Sequence, residues 1–178
     1  MIRALRILST LTVIGFLAWL TAVWFTDRVT VPVDLPPVAG KIDYILIEKA
    51  ARRMTLFQNG TPVRRYAIAL GFSPLGDKLR EGDGKTPEGL FRIDRRNPNS
   101  SYTLSLAIDY PQTDDLTRAA AGGYSPGGDI FIHGQPNRLP DARVIAGDWT
   151  AGCIAVSNAE MREIWAVTPI GTTVEIRG

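Results

Sequence analysis

One cysteine and one histidine occur in the whole chain, Cys153 and His133, twenty positions apart. Each lies in a short glycine-marked cassette, Ile132-His133-Gly134 and Thr150-Ala151-Gly152-Cys153-Ile154. One thiol and one imidazole are the minimum set for a cysteine nucleophile with a general base. The thiolate is the attacking species, and a nearby histidine supplies it by accepting the thiol proton. A lone cysteine excludes an internal disulfide, and one histidine with one cysteine is a poor beginning for a zinc site. The competing assignment is a buried, inert cysteine serving as a small hydrophobe.

The two cassettes and their spacing resemble a known signature. His133-Gly134, fifteen intervening residues (135–149) and Thr150-Ala151-Gly152-Cys153 are similar to the active-site pattern of the YkuD-type L,D-transpeptidases. That pattern is a histidine-glycine pair, a gap of about this length and a Ser/Thr-x-Gly-Cys box. Upstream, Lys85-Thr86-Pro87-Glu88-Gly89-Leu90-Phe91 resembles the family's Thr-Pro-x-Gly-x-Phe segment. The resemblance covers residues 41–178. It departs at two positions: Ala151 stands where many members have histidine, and Ala155 where many have arginine.

The resemblance implies a mainly β fold, a mixed sandwich or barrel with few short helices. It implies Cys153 as nucleophile, His133 as general base and no cofactor. The substrate implied is a peptidoglycan stem peptide, attacked at its diaminopimelate carbonyl with loss of D-alanine. No side chain stands out to orient His133; in similar enzymes a backbone carbonyl does so. Gly134, Thr150 and Gly152 are expected around the substrate, with Gly152 leaving room beside the backbone. Tyr124, in the glycine-rich approach to His133, is a further candidate lining residue. Such substrates carry carboxylates, which arginine forks bind well. With Ala155 in the box, Arg143 or Arg138, between the cassettes, could take that part. Three functional readings follow: an L,D-transpeptidase, an L,D-carboxypeptidase or endopeptidase with water as acceptor, and an anchored module that binds peptidoglycan without catalysis.

The elements that must position this pair are mostly strands. Short apolar runs occur at 44–47, 54–57, 66–70, 90–93, 102–108, 129–132 and 173–176, with Asn59-Gly60 as a hairpin turn after the second. His133 then falls at a strand end, where a side chain can be both exposed and held. Two helices are expected, 113–121 stopped by Gly122-Gly123, and 158–167 opened by Ser157 and Glu160 as a capping box. The N-terminus of the second could add partial positive charge near Cys153.

Ahead of this domain, Arg3 and Arg6 precede an uncharged run, 7–26, long enough to cross a bilayer. Residues 1–26 are therefore expected to be a membrane anchor, with a cleaved signal segment as the alternative. Either one exports the remainder to the periplasmic side of a bacterial inner membrane. Residues 27–40, with Pro32, Pro36 and Pro37, read as a semi-extended linker. Past residue 26, 18 basic residues face 18 acidic ones, which leaves no electrostatic case for nucleic-acid binding. Gly84-Lys85-Thr86 lacks the first glycine and the helix of a phosphate-binding loop. Asp77, Glu81 and Asp83 lack calcium-loop spacing and read as a solvated turn.

Overall fold

A computed structural model describes residues 36–178. The expected membrane segment, 7–26, lies outside the described residues, as does most of the linker. Among the described residues no helix is long and apolar enough to cross a membrane.

Among the described residues, eight strands and two helices follow in the order β1 (Tyr44–Glu48), β2 (Arg53–Gln58), β3 (Thr61–Ala67), β4 (Gly89–Asn97), β5 (Ser105–Ile108), α1 (Thr113–Gly122), β6 (Phe131–His133), β7 (Ile154–Ala155), α2 (Asn158–Val167) and β8 (Thr173–Arg177). The strands make one sheet in the order β3-β2-β1-β8-β4-β5-β6-β7. Pairing is antiparallel except for β1 with β8 and β6 with β7. The sheet curls until its two ends approach. The chain leaving β3 bridges to β7, where Ala69 and Ala155 exchange backbone hydrogen bonds of 2.9 and 2.8 Å. The mainly β expectation therefore holds as a curled half-barrel of one continuous sheet.

Period-two alternation places alternate side chains inside. Ile45 and Ile47 on β1, Phe91 and Ile93 on β4, and Val174 and Ile176 on β8 are buried while their neighbours are not. The core also takes Met161, Ile164 and Val167 from one face of α2. Each large aliphatic side chain buried this way contributes about 1.5–3 kcal/mol.

The Asn59-Gly60 turn has positive φ at both positions (49° and 77°), as a two-residue hairpin requires. The helices match their capping signals. Ser157 Oγ accepts from Glu160 N while Glu160 Oε2 accepts from Ser157 N, and Gly123 closes α1 in the left-handed region. Five strands differ from expectation: β4 runs on to Asn97, β7 is not among the expected runs, and three others start elsewhere. The return strand begins at Thr61, because residues 61–65 pair with β2 at the sheet edge, where hydrogen bonds and the one partly buried apolar side chain of Val63 suffice. Tyr66, Ile68 and Leu70 of the apolar stretch face inward, yet ladder pairing with β2 ends at Ala67. The strand from 102 starts only at Ser105, since Thr103 takes φ 68°. The strand from 129 starts at Phe131, since Asp129 takes φ 52°.

The acidic turn at 77–83 is less solvated than its composition implies. Asp83 accepts from the backbone N–H groups of Leu79, Arg80 and Lys85 and from buried Lys78. Burial alone would raise its carboxyl pKa, but these donors bring it down to about 2.

Candidate active site

His133 is the last residue of β6, and Cys153 immediately precedes β7. Parallel pairing of Ile132 with Ile154 and His133 with Ala155 brings the two cassettes side by side. Both residues line one cleft of about 610 Å³, together with Tyr102, Asp129, Phe131 and Trp149 among others.

His133 is buried, and its Nδ1 lies 2.7 Å from the Gly134 carbonyl oxygen. A carbonyl can only accept, so the proton sits on Nδ1 and Nε2 keeps its lone pair. The ring packs against Tyr102 (4.6 Å between centroids) and edge-on to Trp149 (5.7 Å). Burial pushes the imidazole pKa below its usual value, opposed only by the Gly134 carbonyl. The resting group is therefore the neutral imidazole that a general base must be. Trp149 thus has a packing role around the base, whatever else it meets.

The turn after His133 leaves no space for a side chain. A Cβ on Gly134 would sit 2.6 Å from Asn158 Oδ1. That oxygen accepts from Gln135 N and Thr103 Oγ1, each at 2.7 Å. Asn158 opens α2, so the start of this helix anchors the histidine loop. The thiol meets β6 and the residues leading into it.

Cys153 is half-buried. Its Sγ donates to the Asp129 carbonyl at 3.5 Å, and no hydrogen bond joins it to His133. Burial raises the thiol pKa above its usual value, as does the Asp129 carboxylate; the Phe131 backbone N–H and Lys78 pull the other way. Asp129 holds its carbonyl toward the thiol from a left-handed backbone, while its exposed carboxylate pairs with Arg95 at 3.1 Å.

The loop carrying Cys153 is held on both sides. Thr150 Oγ1 accepts from Gly152 N (3.2 Å) and donates to Cys153 O (2.7 Å). Thr150 N donates to Leu70 O, and Thr150 O accepts from Phe72 N. Gly152 has φ +139°, and a Cβ there would lie 2.7 Å from Lys85 O. The expected clearance beside Gly152 is therefore occupied by the chain's own 84–87 segment. In that segment buried Thr86 accepts from Gly71 N through Oγ1.

The segment is anchored by Lys49, whose buried Nζ donates to Thr86 O (2.8 Å), Gly76 O (2.7 Å) and Glu88 Oε1 (2.8 Å). Nothing in the sequence around Lys49 marks it, since its partners lie far along the chain. Tyr102, Asp129 and Phe131 were equally unmarked as site residues, although each sits in or beside an expected strand.

Other candidates are distributed differently. Tyr124 packs under the Arg80 guanidinium, 5.2 Å from its ring centroid, and does not line the cleft. Arg143 is exposed on the loop between the cassettes and does not line it either; Arg138 does. Ala151 lines the cleft, whereas Ala155 is 1% exposed within β7, where an arginine side chain has no room.

The family model of the YkuD L,D-transpeptidase catalytic domain matches residues 42–176. A curated relative from Escherichia coli K12, YafK, named as a candidate L,D-transpeptidase, is 28% identical over 132 residues, or 71% of this chain and 47% of its own length. The crystal structure of the helical cell shape determining protein Pgp2 from Campylobacter jejuni aligns with a TM-score of 0.59 at 28% identity, covering 78% of this chain and 48% of that one. The structure of Bd1075 from Bdellovibrio bacteriovorus aligns with a TM-score of 0.54 at 25% identity, over 78% and 49% of the two chains. The chain spans about half the length of the curated relatives it matches.

Proposed function

The chain belongs to the YkuD family of L,D-transpeptidase catalytic domains, and from that premise we propose that it performs cysteine-dependent acyl transfer on peptidoglycan stem peptides in the bacterial cell envelope. The observation that carries the reading is the one thiol and the one imidazole of the chain on a single cleft, with the imidazole proton held at Nδ1.

In the proposed cycle, His133 Nε2 takes the Cys153 proton as Sγ attacks the diaminopimelate carbonyl. The thiol must first swing from the Asp129 carbonyl toward His133. The Gly152 N–H is engaged by Thr150 Oγ1, so the Cys153 N–H is the backbone donor proposed for the tetrahedral oxyanion. Collapse breaks the carbon–nitrogen bond, and His133 returns the proton to the departing D-alanine amine. A thioester on Cys153 remains. An acceptor amine, or water, attacks it with His133 again accepting the proton, and the thiol is restored. Export by segment 7–26, as anchor or signal, completes the reading; a reporter fused after Gly178 should be active only outside the cytoplasm.

A second reading, hydrolysis, is favoured by one observation. Ala155 is enclosed in β7 and Ala151 offers no side-chain donor, so two groups that could hold an acceptor beside the nucleophile are absent. Water then competes better with an amine acceptor.

Incubation of the full chain in detergent with sacculi and a tetrapeptide donor, followed by muropeptide analysis, tests both readings. New crosslinks mark transfer, and D-alanine-trimmed tripeptide or lost crosslinks mark hydrolysis. Cys153→Ala should lower either activity by about a thousandfold or more. A mass shift at Cys153 with a carbapenem separates an enzyme from a module that only binds peptidoglycan. Retention of more than about a tenth of the activity by Cys153→Ala, far above that range, would end the mechanism.

A further inference from the structure

Among the residues lining the cleft, two carry a formal charge of fixed sign, Asp129 and Arg138. Asp129 already has a counter-ion, since its carboxylate lies 3.1 Å from Arg95. Arg138 has none: its guanidinium makes no hydrogen bond, ion pair or ring contact among the described residues. The rest of that wall is neutral, with Asn97, Ser100, Ser101 and Ser105 facing the same space.

The backbone that carries Arg138 is nevertheless well held. Asn137 N donates to Ser101 O (2.9 Å), and Asn137 Nδ2 donates to Ser100 O (2.8 Å). Asn137 Oδ1 accepts from Thr103 N (2.6 Å), and Leu139 N donates to Pro136 O (2.9 Å). A free guanidinium thus stands on a fixed turn, lining the same cleft as His133 and Cys153. The neutral wall suits a peptide backbone, and the one uncompensated cation suits a carboxylate. Position 155 cannot supply this function because Ala155 is enclosed, and Arg143 lies off the cleft.

We propose that Arg138 is the specificity-determining residue that binds a carboxylate of the peptide substrate, an inference that rests on reading this cleft as a peptide acyl-transfer site. The guanidinium fork pairs with both carboxylate oxygens, orients the peptide along the serine-lined wall and leaves the scissile carbonyl to Cys153.

The test compares the wild type with Arg138→Gln and Arg138→Lys on stem tetrapeptides with each carboxylate free or converted to the carboxamide. For the free peptide, Arg138→Gln should raise KM by about 10- to 100-fold, with kcat within about threefold. Amidation of the recognised carboxylate should cost the wild type a similar factor and cost Arg138→Gln almost nothing. Arg138→Lys should recover only part, because an ammonium lacks the fork. Thermal melting checks that the variants fold. An unchanged KM in Arg138→Gln, or an equal loss on free and amidated peptides, overturns the proposal.

Binding of the same peptides to full-length Cys153→Ala, with and without Arg138→Gln, reads carboxylate dependence without turnover. If the wild type turns over no peptide while binding still depends on Arg138 and on the carboxylate, the acyl-transfer reading fails and the carboxylate site stands. If binding ignores both, the carboxylate site fails.

Discussion

Burial acts in opposite directions on the His133 imidazole and the Cys153 thiol, and this sets the resting state of the candidate site. It lowers the His133 pKa and raises that of Cys153, so the pair rests as neutral imidazole and neutral thiol. The alternative, a preformed thiolate–imidazolium pair, would need the shifts reversed. Two consequences can be measured. Activity should fall on the acid side only below the ordinary imidazole value of about 6.5, because His133 stays unprotonated longer than a free histidine. Alkylation of Cys153 by iodoacetamide in the free protein should be slow at pH 7 and should rise only above about 8.5, the ordinary thiol value. An acid limb above that imidazole value, or rapid alkylation at neutral pH, would contradict the neutral pair. The His133 shift bears on stability with the same sign: a lowered folded-state pKa favours the fold above the unfolded value, and that contribution is lost as pH falls below about 6.5.

At the scale of elements, three backbone segments meet at Cys153: 69–72, 84–87 and 150–153. The closest of their approaches are backbone to backbone, which accounts for Gly71 and Gly152. A Cβ on Gly71 would lie 2.1 Å from Gly84 O, and one on Gly152 would lie 2.7 Å from Lys85 O at a φ of +139°. Gly152→Ala should therefore cost about 1–3 kcal/mol from backbone strain alone. It should also lower activity by about a hundredfold through displacement of Cys153, a loss typical of misplacement by about 1 Å. Denaturant unfolding together with turnover separates the two effects. Full activity with unchanged stability would mean that the loop relaxes freely. Lys49 is the matching anchor. Its side chain is 2% exposed, and the ammonium meets two carbonyls and the Glu88 carboxylate. Glu88→Gln leaves that charge without its counter-ion and should destabilise by about 3 kcal/mol, toward the lower end for a broken buried pair because Glu88 is partly solvated. A loss below about 0.5 kcal/mol, the range of a surface substitution, would show that Lys49 is adequately held by the carbonyls alone.

At the scale of the whole molecule, the last strand holds the domain together. β8 sits between β1 and β4 in the middle of the sheet, and it buries Val174 and Ile176 at 0% and 2% exposure. Its pairing with β1 is parallel and joins opposite ends of the described chain. Removing residues 173–178 should leave two open sheet edges and abolish cooperative unfolding, because an uncovered central edge exposes both unpaired backbone and core. A truncated chain that still melts cooperatively would assign the stability elsewhere. The closure between Ala69 and Ala155 works at the same scale. It seats β7, and through β7 Cys153, against the far end of the sheet.

How much of this could be read beforehand follows from the range of each interaction. The cysteine and histidine, the Asn59-Gly60 turn and the capping box from Ser157 to Glu160 are local, and each is written within a few residues. So is the alternation of Ile45 with Ile47 and of Val174 with Ile176, which gives the strands without their neighbours. The sequence by itself determined the lone thiol and the lone imidazole, the two helices and the runs from which most strands start. Only the tertiary structure decided that β8 divides β1 from β4, that Lys49 supports the nucleophile loop, and that Arg138 rather than Arg143 reaches the cleft. It also decided that the space beside Gly152 belongs to Lys85. Strand order, buried ion pairs and close backbone crossings join residues far apart in the chain, and no spacing within either segment encodes such a partner.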